Sequence, residues 1–267
     1  MSTLAYTVSD STTMLRRNLR RLRRYPSMTL LLVGMPIVFL LLFVYVFGGQ
    51  LSHGLDTAYG AGHSGRAGYL NYVTPGILFM TVAAAVQGTA IAVAMDMTGG
   101  IIDRFRTMAI ARSAVLTGHV LASLIQSLVS IGIVLGVAVA LGFRPNARPL
   151  EWLAAIGVVT LFSLALIWLA TALGLAAKSV ETASNTPMFL TFLPFLGSGF
   201  VLIASMPTGL RQFAQYQPFT PTTETLRGLL TGTPIGTNAV VAVAWSVAIA
   251  LASYIWARHL YTHKGSA

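Results

Sequence analysis

Six runs of apolar residues, separated by shorter polar stretches, follow one another along this chain at 28–47, 70–95, 115–141, 152–177, 187–205 and 237–257. The first reads MTLLLVGMPIVFLLLFVYVF and carries no charge. A bilayer core about 30 Å thick is crossed by about 20 apolar helical residues. The pattern therefore predicts an all-α, polytopic integral membrane protein, with six transmembrane helices in a single domain over 1–267. Asn71, Thr74, Gln87 and Thr89 interrupt the second run, so one side of that helix is expected to face other protein.

Three polar stretches carry a pattern of their own. Around 10–26, Leu15, Leu19 and Leu22 recur at helical spacing while arginines cover the remaining faces. Asp10, Ser11 and Thr12 are candidate N-caps, and Pro26 ends the segment just before the first span. A basic amphipathic helix beside a span lies in the membrane interface. Within 100–112, Ile101, Ile102, Phe105, Met108 and Ala109 share one side, against Asp103, Arg104, Arg106 and Arg112. Periodicity alone leaves two readings open there: a helix set into another protein's groove, or one lying on lipid. The stretch 206–236 is too apolar for a solvated loop. It predicts two helical pieces broken by Pro218 and Pro221, with Thr222 or Thr223 as a cap and Glu224 paired to Arg227 at i, i+3. Such a segment is expected to dip back into the outer leaflet, buried against protein as irregular backbone must be.

Composition agrees with a membrane solvent. Hydrophobic residues make up 55% and charged residues 9%, against about 25% charged in soluble domains. The mean hydropathy is +0.74. The absence of cysteine removes disulfides and thiolate metal sites. The net charge of +10 changes the picture only through its placement. With six spans, Arg16, Arg17, Arg20, Arg21, Arg23, Arg24, Arg104, Arg106, Arg112, Lys178, Arg258 and Lys264 share one side. Arg66, Arg144, Arg148, Arg211 and Arg227 lie on the other, a ratio of 12 to 5 that puts both termini in the cytoplasm. The basic tail is long and no A-x-A site follows Phe47, so a retained first span is expected rather than a cleaved leader. The six arginines from Arg16 to Arg24 then face anionic head groups or act as a topology determinant, and no nucleic-acid role is expected.

Candidate chemistry is sparse. No G-x-x-x-x-G-K-[ST] occurs, so the chain has no P-loop of its own, and H-E-x-x-H, G-x-S-x-G and C-x-x-C are also missing. No catalytic, cofactor-binding or metal-binding residue is expected. His53 and His63 lie in a loop with seven glycines from Gly48 to Gly68, without a surrounding ligand cluster. Asp96 sits at a span end and Glu181 near a loop, so the buried acids that ion-coupled transporters use are scarce. An ATP-independent secondary transporter or channel-like protein is the alternative reading, and a membrane-embedded enzyme a third. Gly132-x-x-x-Gly136 and Gly197-x-Gly199 permit close helix packing.

The order of these elements, together with GGIIDRFRTMAIARSAVLTGHVLA and QPFTPTTETLRGLLTG, resembles the permease subunits of type-2 ABC exporters, and most of all the daunorubicin-resistance membrane subunits of actinobacteria. The resemblance spans nearly the whole chain. It implies a plasma-membrane subunit, in bacteria the inner membrane, moving a hydrophobic drug, lipid or glycoconjugate out of the cytoplasm. It further implies two copies of a separate ATP-binding subunit, a second permease that is identical or homologous, and contact with anionic lipids. ATP would be bound by the partner, and this chain would need no cofactor. By the same resemblance 100–112 is the coupling helix on the ATPase, with Ile102, Asp103, Arg104, Phe105, Arg106, Met108 and Arg112 as contacts. Arg16, Arg17, Arg20, Arg21, Arg23 and Arg24 belong to the interface helix, and Pro218, Pro221, Glu224 and Arg227 to the outer re-entrant segment. Asp103 stands where many relatives have glutamate.

Overall fold

The computed structural model describes residues 26–52, 54–55, 65–98 and 112–263. The expected interface helix 10–26 and coupling helix 100–112 lie outside these residues, apart from Pro26 and Arg112, each of which opens a helix. His53 and His63 lie outside them too.

The described chain is helical and contains no strand. Helix α1, Pro26–Leu41, continues through a π-turn stretch, Leu42–Phe47, into the short α2, Gly48–Leu51. Then come α3 (Gly65–Thr98), α4 (Arg112–Ala140) and α5 (Pro149–Ala176). The short α6 (Val180–Asn185) and α7 (Met188–Phe192) precede two 3-10 turns, Leu193–Leu196 and Ile203–Ser205. Helices α8 (Thr208–Tyr216), α9 (Phe219–Thr231) and α10 (Asn238–His263) complete the chain.

Five segments among the described residues are long and apolar enough to cross a membrane: Leu32–Leu51, Gly65–Thr98, Leu116–Ala140, Pro149–Ala176 and Asn238–Tyr261. They match the expected first, second, third, fourth and sixth runs. In the bundle α3 is central, with 72% of its apolar window buried, whereas α10 is peripheral at 17%. Helices α5, α4 and α1 pack on α3, and α10 packs chiefly on α5. The polar positions of the second run account for this placement: Thr74, Thr81 and Thr89 are buried, each hydroxyl donating to the carbonyl four residues earlier. That bond satisfies the hydroxyl inside an apolar bundle.

The expected fifth run, 187–205, does not form one helix. Pro187 precedes α7, Pro194 lies in the first 3-10 turn, and residues 197–200 are a turn. Two prolines that cannot donate to a helical ladder, and two glycines with little helical preference, explain why an apolar run this long breaks. The broken segment still runs alongside α3. Gln87 Nε2 donates to Ser184 O at 3.1 Å, Gly76 packs on Gly199, and Tyr69 Oη donates to Phe200 O at 2.9 Å.

These contacts define two ends of the bundle. One carries Gly65, Gly142 and the start of α10; the other carries Thr98, Lys178 and His263. Below we call them the Gly142 end and the Lys178 end.

Candidate functional site

A cluster of buried polar groups lies where α8 and α9 meet the broken segment. Phe219, at the start of α9, packs edge-on against Phe162, which packs edge-on against Phe79, with centroids 5.1 and 5.4 Å apart. Phe79 is 14 residues into α3, or about 21 Å at 1.5 Å per residue. At the other end of α9, Leu230 O accepts from Asn146 N at 2.9 Å, at the Gly142 end. Helices α8 and α9 thus form a hairpin whose bend, Gln217–Pro218, lies deep among the helices. Trp245 Nε1 of α10 donates to Tyr216 O beside that bend at 3.1 Å.

Local sequence explains the hairpin. Pro218 is the N-cap of α9 and Pro221 falls in its first turn, where a missing N–H costs nothing. Thr222 and Thr225 donate back to Pro218 O and Pro221 O at 2.7 Å. The helix thus starts before Thr222 and Thr223, so neither caps it. The break falls at Pro218 rather than at both prolines. Gly232, at φ +77°, ends α9 in the left-handed conformation that glycine adopts freely.

Arg227 is the centre of the arrangement and is only 2% exposed. Its Nη1 donates to Glu224 Oε1 at 2.6 Å, so the expected i, i+3 pair forms. Nε and Nη2 both donate to Tyr72 O, at 3.2 and 3.1 Å, and Nη2 also reaches Ser198 O at 2.6 Å. The guanidinium lies 3.9 Å from the Tyr72 ring centroid, a favourable placement for a planar cation. Tyr72 lies within α3, three residues before Pro75, and Ser198 lies in the turn of the broken segment. One rigid fork of donors thereby fastens α9 to α3 and to that segment.

A second row of bonds lies deeper. Gln217 Nε2 donates to Leu193 O at 3.0 Å and reaches Thr220 Oγ1 at 3.5 Å, while Ser198 N reaches the same hydroxyl at 3.4 Å. The close fit depends on glycine. A Cβ on Gly76 would meet Gly199 backbone, with Gly199 Cα only 2.6 Å away, and one on Gly197 would meet Gln217 Nε2.

At the Lys178 end, His119 of α4 lies with Nε2 3.0 Å from Asp96 Oδ2 of α3. Both are buried, at 5% and 3% exposure. They bracket 99–111, so the two stems of the expected coupling segment are joined by a buried polar contact.

The sequence-derived sites fare differently. Ile102, Asp103, Arg104, Phe105, Arg106 and Met108 lie outside the described residues, as do Arg16, Arg17, Arg20, Arg21, Arg23 and Arg24. Arg112 begins α4. Pro218, Pro221, Glu224 and Arg227 come together in the hairpin. Sequence reasoning missed Tyr72, Ser198 and Gln217, and took Asp96 as an isolated span-end acid. An available signal was that Asp96 and His119 flank the same loop. Among the described residues no group of three or more His, Cys, Asp or Glu could hold a metal.

Comparison with known proteins gives this arrangement a context. Residues 10–231 match the family described as ABC-2 type transporter. The chain is similar to the daunorubicin resistance ABC transporter permease protein DrrB1 of Streptomyces coeruleorubidus, 28% identical over 230 residues, covering 86% of this chain and 77% of the relative. It is also similar to a probable doxorubicin resistance ABC transporter permease protein, DrrC, of Mycobacterium tuberculosis. That identity is 24% over 243 residues, covering 89% and 83%.

Proposed function

We propose that this chain, which belongs to the ABC-2 type transporter family, is the membrane subunit of an ATP-driven exporter that carries a hydrophobic drug, lipid or glycoconjugate out of the cytoplasm. The observation that carries the reading is the family match over 10–231, on a chain whose described residues include five helices fit to cross a bilayer. The drug-resistance names of the two relatives favour a hydrophobic drug as cargo. No P-loop occurs in the sequence, so energy must arrive through contact with a separate ATPase.

In this reading the chain crosses the membrane six times, the fifth time through the broken segment 187–205. The charge asymmetry supports cytoplasmic termini, with the Lys178 end inside and the Gly142 end outside. The hairpin of α8 and α9 is then the outer re-entrant element, and Arg227 locks it to α3 and the broken crossing. Segment 100–112 docks on the ATPase, present in two copies, and the Asp96–His119 contact keeps its two stems together. The arginines from Arg16 to Arg24 rest on anionic head groups. A second permease, identical or homologous, completes the transport path.

The test is recovery from membranes. A tagged copy of this chain should bring down an ATP-binding subunit that carries a P-loop. Recovery of the intact chain with no such subunit, across several mild detergents, would turn the assignment towards an ATP-independent transporter.

A further inference from the structure

A pocket of about 120 Å³ opens at the Gly142 end, between the start of α3, the α4–α5 connection and the end of α9. Its polar lining includes Asn71, Arg144, Asn146, Arg227, Thr231 and Thr233, with Tyr72 beside them. With a water's share of liquid volume near 30 Å³, the space takes one compact polar group of about four heavy atoms or more.

Among the described residues the charges around it do not cancel. Arg227 is paired with Glu224. Arg144 has no carboxylate partner among the described residues: only its Nη1 is engaged, donating to Val139 O and Phe143 O at 3.1 and 3.2 Å. Among the described residues its Nε and Nη2 have no partner, nor do the carboxamide of Asn146 and the hydroxyl of Thr233. The backbone fixes these groups in place. Asn146 N is tied to Leu230 O at 2.9 Å, and Arg144 N reaches Asn71 Oδ1 at 3.4 Å. A guanidinium with its Nε/Nη2 edge free, beside neutral amide and hydroxyl donors and above the buried guanidinium of Arg227, matches an oxyanion.

We propose that this pocket is a binding site for a phosphate group, held by Arg144 and Asn146 over the buried Arg227. The phosphate is either that of an anionic lipid head group or a free one, and both present the same tetrahedral oxyanion. The site is separate from the coupling segment and from any ATPase, so its test needs neither transport nor hydrolysis.

The experiment uses the purified full chain in dodecyl maltoside micelles, which carry no phosphate. Inorganic phosphate is titrated in one arm, against chloride at matched ionic strength. Phosphatidylglycerol is added to the micelles in the other. Binding is read from the unfolding midpoint and from retention of lipid in native mass spectra. Arg144→Gln and Asn146→Ala are compared with wild type and with Arg211→Gln, a guanidinium at the same end bonded to Ala204 O and Met206 O instead. Arg144→Gln should weaken binding at least tenfold and Asn146→Ala severalfold, with Arg211→Gln unchanged. Dependence on Arg144 in both arms establishes the oxyanion site. Dependence in the lipid arm alone names a head group as the occupant, and in the phosphate arm alone a free anion. Binding in neither arm, or binding that Arg144→Gln leaves intact, overturns the proposal.

Discussion

Replacing Arg227 by glutamine takes the positive charge from the middle of the helix packing and leaves its partners behind. Glu224 loses the 2.6 Å contact, and the carbonyls of Tyr72 and Ser198 lose a charged donor. Breaking a buried pair by removing one member costs about 3–5 kcal/mol. The Glu224 side chain is 22% exposed and keeps some access to water, so the low end applies, about 3 kcal/mol. At roughly 2–4 °C per kcal/mol for a chain of this size, the unfolding midpoint should fall by about 6–12 °C. Arg227→Lys keeps the charge near Glu224 but cannot reach two carbonyls as a planar fork, so its loss should be about half. The double variant Glu224→Gln with Arg227→Gln removes the orphaned carboxylate and should be more stable than Arg227→Gln alone, by about 1 kcal/mol or more. Midpoints are read by thermal unfolding of the detergent-solubilised chain. An Arg227→Gln midpoint within about 2 °C of wild type would show that the fork does not hold the hairpin.

Two further outcomes follow from the same geometry and a third from the charge asymmetry of the sequence. Gly76→Ala places a methyl 2.6 Å from Gly199 Cα and should cost about 1–3 kcal/mol or more as overpacking. Gly157→Ala, with nothing within 4 Å, should be neutral or slightly stabilising in the same melt, and equal effects would contradict the close approach. Asp96→Ala should destabilise more than Asp96→Asn, because the amide retains a bond to His119; indistinguishable melts would mean the contact carries little. A cysteine at Ser64 should react with an impermeant thiol reagent in intact cells and one at Ser266 should not, and labelling of Ser266→Cys from outside would reverse the orientation.

The five continuous spans were legible because length and apolarity are properties of a window of sequence, independent of what packs on it. The break in 187–205 was not, since hydropathy averages over Pro194, Gly197 and Gly199 without registering that they end a helical ladder. Gly197-x-Gly199 reads from sequence as a helix-packing stripe, whereas the backbone there is a turn pressed on Gly76 and Gln217. The Glu224–Arg227 pair could be read because its partners are three residues apart. The carbonyls that complete it lie 155 and 29 residues from Arg227, and no local pattern points to them. The charge tally counted Arg227 and Arg144 alike, without registering that Arg227 is buried and Arg144 exposed near it. Asp96 and His119 are 23 residues apart and meet only once α3 and α4 pack.

ATP hydrolysis by the reconstituted pair tests most directly the proposal that this chain moves cargo with energy delivered by another subunit. The chain and an ATP-binding subunit recovered with it are placed together in proteoliposomes of anionic lipid, and hydrolysis is followed as a hydrophobic drug such as daunorubicin is titrated. Drug should stimulate hydrolysis and accumulate on the side opposite the ATPase. Phe105→Ala in this chain should abolish the stimulation without lowering the amount of chain inserted. Hydrolysis that ignores every hydrophobic drug and lipid tried, or stimulation that persists with Phe105→Ala and Arg106→Ala combined, would contradict the account.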